Sequence, residues 1–178
     1  MTTRLLLRWL TRHLPAPRII GDDVTPYLSR WYLLGRPTMP DGSSPFDVYG
    51  TPRLGIVWND AGFGLYLHRF HRGDGGLELH NHPWRWAVSL ILAGGYVEER
   101  RVPSDLWTPK WSVERRTVRP WTLNRIAADD FHRVDLLEED AWTLFLVGPK
   151  HQSWGFWSRT TDRFVGWRDF LSAKSGSS

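Results

Sequence analysis

From Gly64 onward the chain is a succession of short runs rich in aliphatic, aromatic and β-branched residues, each closed by turn residues. The runs cover Gly64 to Phe70, Trp86 to Ala93, Tyr96 to Val102, Ser112 to Val118, Trp121 to Ile126, His132 to Leu137 and Trp142 to Val147. Arg72-Gly73-Asp74-Gly75-Gly76 and Gly94-Gly95 punctuate them. Runs this short, with a turn roughly every ten residues, predict an all-β sandwich or barrel. Leu54 to Trp58, followed by a turn at Asn59 to Gly62, extends the pattern upstream. Tyr27 to Leu34 predicts an outer strand, while the proline- and glycine-bearing stretches Gly35 to Asp47 and Pro103 to Pro109 predict loops.

A chain of 178 residues is long enough for one domain with a real core, and no internal repeat or boundary breaks it. We read 1–50 as a helix and lead-in strand packed on the barrel, 51–171 as the barrel, and 172–178 as a disordered tail. Phe164, Trp167 and Phe170 at helical spacing predict a closing helix within Thr160 to Leu171. At the other end Arg4, Arg8 and Arg12 recur every four residues among leucines, and Pro15 and Pro17 stop the segment. That amphipathic helix fits three settings: packed on the barrel or on a partner subunit, laid on a membrane surface, or serving as a targeting presequence. The packed helix is the reading adopted.

The net charge is +4 and the pI near 9.8, values that raise the question of nucleic acid. The arginines, however, are dispersed and set beside acids, as in Glu98-Glu99-Arg100-Arg101, and only Arg115, Arg116 and Arg119 cluster. An ion-paired, solvated surface is expected, with a small molecule rather than nucleic acid as partner. No apolar run approaches the roughly 20 residues of a membrane span. The absence of cysteine is compatible with the cytoplasm, the expected location, and excludes thiolate catalysis and thiolate metal ligands. No Gly-x-Ser-x-Gly elbow, phosphate loop or dinucleotide fingerprint is found either.

The chemistry is expected at His80-Asn81-His82-Pro83-Trp84 and at His132. Side chains alternate along a strand, so His80 and His82 share a face, and a later strand can bring His132 to them. Three imidazoles converging in a barrel form a half-open site for a divalent transition metal, Fe(II), Zn, Mn and Ni all being suited to nitrogen ligands. Glu78 falls on the same face of a regular strand and is a candidate extra ligand. His151 is an alternative to His132.

These residues resemble the cupin superfamily, whose first motif runs Gly, five residues, His-x-His, three or four residues, Glu, six residues, Gly. His80, His82 and Gly94 match it in type and spacing, while the acidic position falls on Ala87 or Trp86. Of the second motif, Pro-x-Gly-x-x-His, the segment Ala127 to His132 keeps the histidine. The chain is similar to cupin-like proteins carrying a His-x-His-Pro-Trp strand. The resemblance implies a jelly-roll barrel (a double-stranded β-helix), a metal on His80, His82 and His132, and pairing as a homodimer through outer strands. Among cupins the three-histidine thiol dioxygenases look similar, which implies an oxygenase acting on a small molecule. A metal-dependent sugar isomerase or epimerase and a non-catalytic ligand-binding cupin remain open as alternatives.

Around the triad, Tyr66 and His68 share one strand face and are candidate catalytic residues. Trp84 and Trp86 are candidate pocket walls, and the other tryptophans, twelve in all, are expected mostly in packing. Arg69 and Arg133 are candidates for holding an anion.

Overall fold

The computed structural model describes residues 2–21, 26–35, 62–103 and 111–175. The expected strand at 54–58 and most of both expected loops lie outside the described residues. Helix α1 spans Thr3–Thr11, followed by strands β1 Arg18–Gly21, β2 Pro26–Leu34, β3 Gly64–Phe70, β4 Leu79–His80, β5 Trp86–Ala93 and β6 Tyr96–Pro103. Then come β7 Trp111–Val118, β8 Leu123–Ala127, β9 His132–Leu136, β10 Ala141–Val147, β11 Gly155–Ser158 and β12 Arg163–Gly166, before helix α2, Trp167–Ser175.

The strands form two six-stranded sheets ordered β1-β2-β3-β10-β5-β8 and β12-β11-β4-β9-β6-β7, and every pairing is antiparallel. From β3 to β10 the chain switches sheets at every step except the β6–β7 hairpin. That hairpin and its two arms, wrapped over each other, make the eight-stranded double Greek key of a jelly roll. The fold is therefore all-β with two short terminal helices.

Alternation along the strands decides what faces inward. On β5 the burial pattern is strictly alternating: Ala87, Ser89 and Ile91 face inward, while the register shift opposite Trp142 and Thr143 turns the last buried residue, Ala93, to the outer face. Ile91, Tyr96, Val118 and Val134 close one end of the interior, and Tyr66, Ala87, Ile126, Phe145 and Val147 pack around the other. The turn from β5 to β6 needs its glycines: Gly94 has φ +73°, and a Cβ there would collide with the Asp140 carbonyl.

Helix α1 begins at Thr2, whose hydroxyl caps Leu5 N at 3.4 Å. It lies against the outside of the first sheet, where Leu7 joins Trp31, Leu67, Ala93 and Trp142 in a separate core. Arg4 and Arg8 reach the buried Asp140, at 2.8 and 3.2 Å. The helix thus packs on the first sheet through Leu7 and the two arginines, while Leu5, Trp9 and Leu10 stay exposed. Among the described residues no helix is long and apolar enough to cross a membrane.

The carboxyl end differs from expectation. The aromatic spacing through Phe164 is read by a strand first: Arg163–Gly166 pairs with Gly155–Ser158, and the helix starts at Trp167. Phe156 stacks on Phe170 at 4.0 Å and Trp154 on Trp167 at 5.9 Å. The helix runs through 172–175, part of the expected disordered tail, because these ring stacks dock it; 176–178 lie outside the described residues. Trp121, expected in packing, is 70% exposed at a turn with φ +68°.

Candidate metal centre

The two-residue strand β4 sits between β9 and β11, and its register places His80 directly opposite His132. Beyond His80 the strand ends, and the segment is held instead by side chains and single backbone bonds. Asn81, buried between the two histidines, accepts from Gly155 N at 2.9 Å. Gln152 donates to the carbonyl of His82 at 3.1 Å, and His151 N to that of Pro83 at 2.7 Å. These ties turn both His80 and His82 inward without a regular strand.

The rings of His80, His82 and His132 form a near-equilateral cluster, with centroids 4.8 to 5.1 Å apart. Each offers one nitrogen, and these nitrogens lie within 4.8 Å of one another. The Nε2 atoms of His82 and His132 are 2.9 Å apart. Two buried imidazole nitrogens that close are held by a shared proton or by a cation bound to both. Ligands each about 2.1 Å from one ion, at a right angle, would be separated by about 3 Å, so the observed distance fits a common cation.

Behind His132 lies a residue that sequence reading assigned to the surface. Glu98 is fully buried and accepts from His132 Nδ1 at 2.7 Å. It also accepts from Asn124 at 2.9 Å, Arg100 at 3.0 Å and Arg116 at 2.6 Å. Burial is the largest influence on this carboxyl and works against ionisation. The hydrogen bond from His132, with that of Asn124 and the charge of Arg100, overcomes it and holds Glu98 well below the usual carboxylate range. An ionised Glu98 requires the proton of His132 on Nδ1, which aims the Nε2 lone pair at the cluster. This is the carboxylate–histidine arrangement that orients metal ligands. Strand alternation was the available signal: Tyr96, Glu98 and Arg100 share the inward face of β6.

Burial also keeps the other imidazoles unprotonated. It pushes His80 down to about 4, against the opposing pull of Asp74, whose Oδ2 lies 3.7 Å from His80 Nδ1. Burial and the neighbouring His132 and His80 hold His82 well below the ordinary range. Free-base imidazoles are the form a metal requires.

Tyr66 and His68 stand one aromatic layer away. His68 stacks on Phe145 at 4.9 Å and Tyr66 faces Trp84 at 6.2 Å; Trp84 in turn stacks on His82 at 5.6 Å. His68 Nε2 accepts from Arg30 Nε at 2.9 Å, so its proton sits on Nδ1, which is buried without a partner. Burial first, then the Arg30 charge, keeps His68 neutral.

Other sequence candidates lie elsewhere. Trp86 is 40% exposed and covers Gly148 from outside, so it is no pocket wall; β5 begins at it and its alternation points it outward. Glu78 turns back to accept from Leu77 N at 3.1 Å and is outside the cluster, because the regular strand needed to align it does not extend that far. His151 is exposed and also outside it. Arg69 and Arg133 are occupied by Asp140 at 2.9 Å and Asp135 at 2.6 Å.

No family model and no curated protein matches this chain. Solved structures of similar fold include KdgF from Halomonas sp., at 17% identity over 75% of this chain and 94% of that one, with a TM-score of 0.43. A recombinant oxalate oxidase in complex with glycolate shows 16% identity over 75% and 57%, with a TM-score of 0.46. A putative mannose-6-phosphate isomerase from Ralstonia eutropha JMP134 shows 14% identity over 79% and 94%, with a TM-score of 0.44. These likenesses concern the fold alone; the jelly roll itself is given by the strand order.

Proposed function

We propose that the chain is a metal-dependent enzyme that oxidises a small molecule, with His80, His82 and His132 holding a divalent transition ion, ferrous iron foremost. The observation that carries this reading is the 2.9 Å approach of two Nε2 atoms, one of them aimed by the buried Glu98 carboxylate. Held by these imidazoles, ferrous iron would supply the electron chemistry with dioxygen that side chains alone do not offer.

The protein's own groups do the rest. Glu98 fixes the tautomer and ring plane of His132. Trp84 and Phe145 pack against His82 and hold its ring in place. His68 has its only lone pair taken by Arg30, so Nδ1–H serves as a hydrogen-bond donor toward substrate rather than as a base. Tyr66 holds the Arg30 guanidinium under its ring face at 5.1 Å.

Metal analysis of protein purified without chelator or nickel affinity resin tests the reading. Near one equivalent of iron is expected, lost in His82→Ala, with oxygen uptake in the presence of a turned-over small molecule. A chain that binds no divalent metal, or binds the same amount after His80→Ala and His82→Ala, would overturn it. Native zinc with no oxygen consumption would remove the oxidation and leave metal-assisted isomerisation.

A further inference from the structure

We propose that Arg30 is the recognition point for a carboxylate on the substrate, whose other end reaches the histidine cluster. This rests on the metal reading above and adds the substrate class: a small organic acid.

Arg30 lies on β2 directly opposite His68 of β3. Alternation places Leu28, Arg30 and Tyr32 on the face that also carries Tyr66, His68 and Phe145, the inner face, while Trp31 goes to the outer core under α1. The guanidinium lies 5.1 Å from the Tyr66 ring and 5.9 Å from the Trp84 ring. Trp84 stacks on His82, so a single indole separates the cation from the cluster.

Among the described residues no carboxylate stands within ion-pair distance of Arg30, whereas Arg69 on β3 pairs with Asp140 and Arg100 on β6 with Glu98 and Asp130. An inward guanidinium without an anion is costly, and the aromatic faces offset only part of that. Its Nε is committed to His68, which leaves both Nη groups for the two oxygens of one carboxylate. Tyr32 Oη and His68 Nδ1, on the same face, are buried without hydrogen-bond partners among the described residues and supply further polar contacts for such a ligand. One cation suits a single negative charge. Arg100 and Arg116 are already paired with Glu98 and Asp130, so a phosphate dianion would find no second partner in them.

The test is calorimetric titration with acetate, butyrate and hexanoate, with their amides as uncharged twins and inorganic phosphate as the dianion. It is run on metal-loaded and on metal-free protein. The wild type should prefer at least one acid over its amide, and over phosphate. Arg30→Gln should lower that acid's affinity by at least about tenfold while amide binding and metal content stay the same. Arg30→Lys, which keeps the charge but not the planar fork, should fall between.

Equal affinity for every acid and its amide, equal acid binding by Arg30→Gln, or tighter Arg30-dependent binding of phosphate overturns the proposal. The acid–amide preference needs no variant, so a misfolded Arg30→Gln does not remove the test. Arg30-dependent acid binding by a chain that takes up no metal would sink the metal reading and keep the carboxylate site. Stoichiometric metal without acid preference would do the reverse.

Discussion

Glu98 lies inside the barrel and Asp140 beneath helix α1, and both carboxylates are almost removed from solvent, at 0% and 2% exposure. Each is surrounded by donors. Asp140 accepts from Arg4, Arg8 and Arg69, and from the Trp142 indole at 3.3 Å. Glu98 accepts from two arginines, an amide and an imidazole. The difference lies in what the donors can pass on. The arginines on Asp140 end in solvent and tie a helix to a sheet. The imidazole on Glu98 has a second nitrogen, and the carboxylate decides its protonation and direction. The same burial of a charge thus serves as a latch in one place and as an aiming device in the other.

The largest effect should come from Glu98→Ala. It leaves Arg116 and His132 without their carboxylate and Arg100 with Asp130 alone, and breaking a buried charge network costs about 3–5 kcal/mol. Urea unfolding should show that loss. Glu98→Gln keeps the shape but no longer dictates the His132 tautomer; metal affinity should fall about 10- to 100-fold in a chelator competition. Unchanged affinity in Glu98→Gln would place Glu98 with Asp140 as a purely structural anion.

Asp140→Asn should be milder. Its arginines are 25 to 41% exposed and rehydrate, so about 1–3 kcal/mol of stability is expected to go, discounted for that exposure. Metal content should not change; if it does, latch and centre are coupled and the comparison fails.

The smallest effect is a pH signature of the latch. Burial opposes ionisation of Asp140, but the hydrogen bonds of Arg8, Arg4 and Arg69 win and hold its carboxyl below the ordinary value of 3.8. A depressed folded value means that stability is fully present above 3.8 and is lost as pH falls through the lower folded value. The stability gap between wild type and Asp140→Asn should therefore be constant from neutral pH to about 5 and close below about 4. A gap that widens in acid would show that the ion pairs are not its source.

Period-two alternation made the inward faces of β3 and β5 and the His-x-His pair legible, because each is a local pattern in which neighbours on the chain remain neighbours in space. Glu78 and Trp86 illustrate its limit: both depended on a strand continuing through residues whose backbone is instead bound piecemeal to β11 and to the segment before it. The terminal strands β11 and β12 have only four residues each, too few for a periodic signal against the helical spacing of their aromatics.

What the sequence alone determined was the β architecture, the basic helix and the residue types able to hold a metal, since composition and alternation are properties of the chain itself. Only the tertiary structure decided that Glu98 stands behind His132, that Arg30 faces inward beside Trp84, and that Arg4 and Arg8 close on Asp140. Those partners are 34, 54, 136 and 132 residues apart. Their meeting follows from the order in which strands hydrogen-bond, which no local pattern encodes.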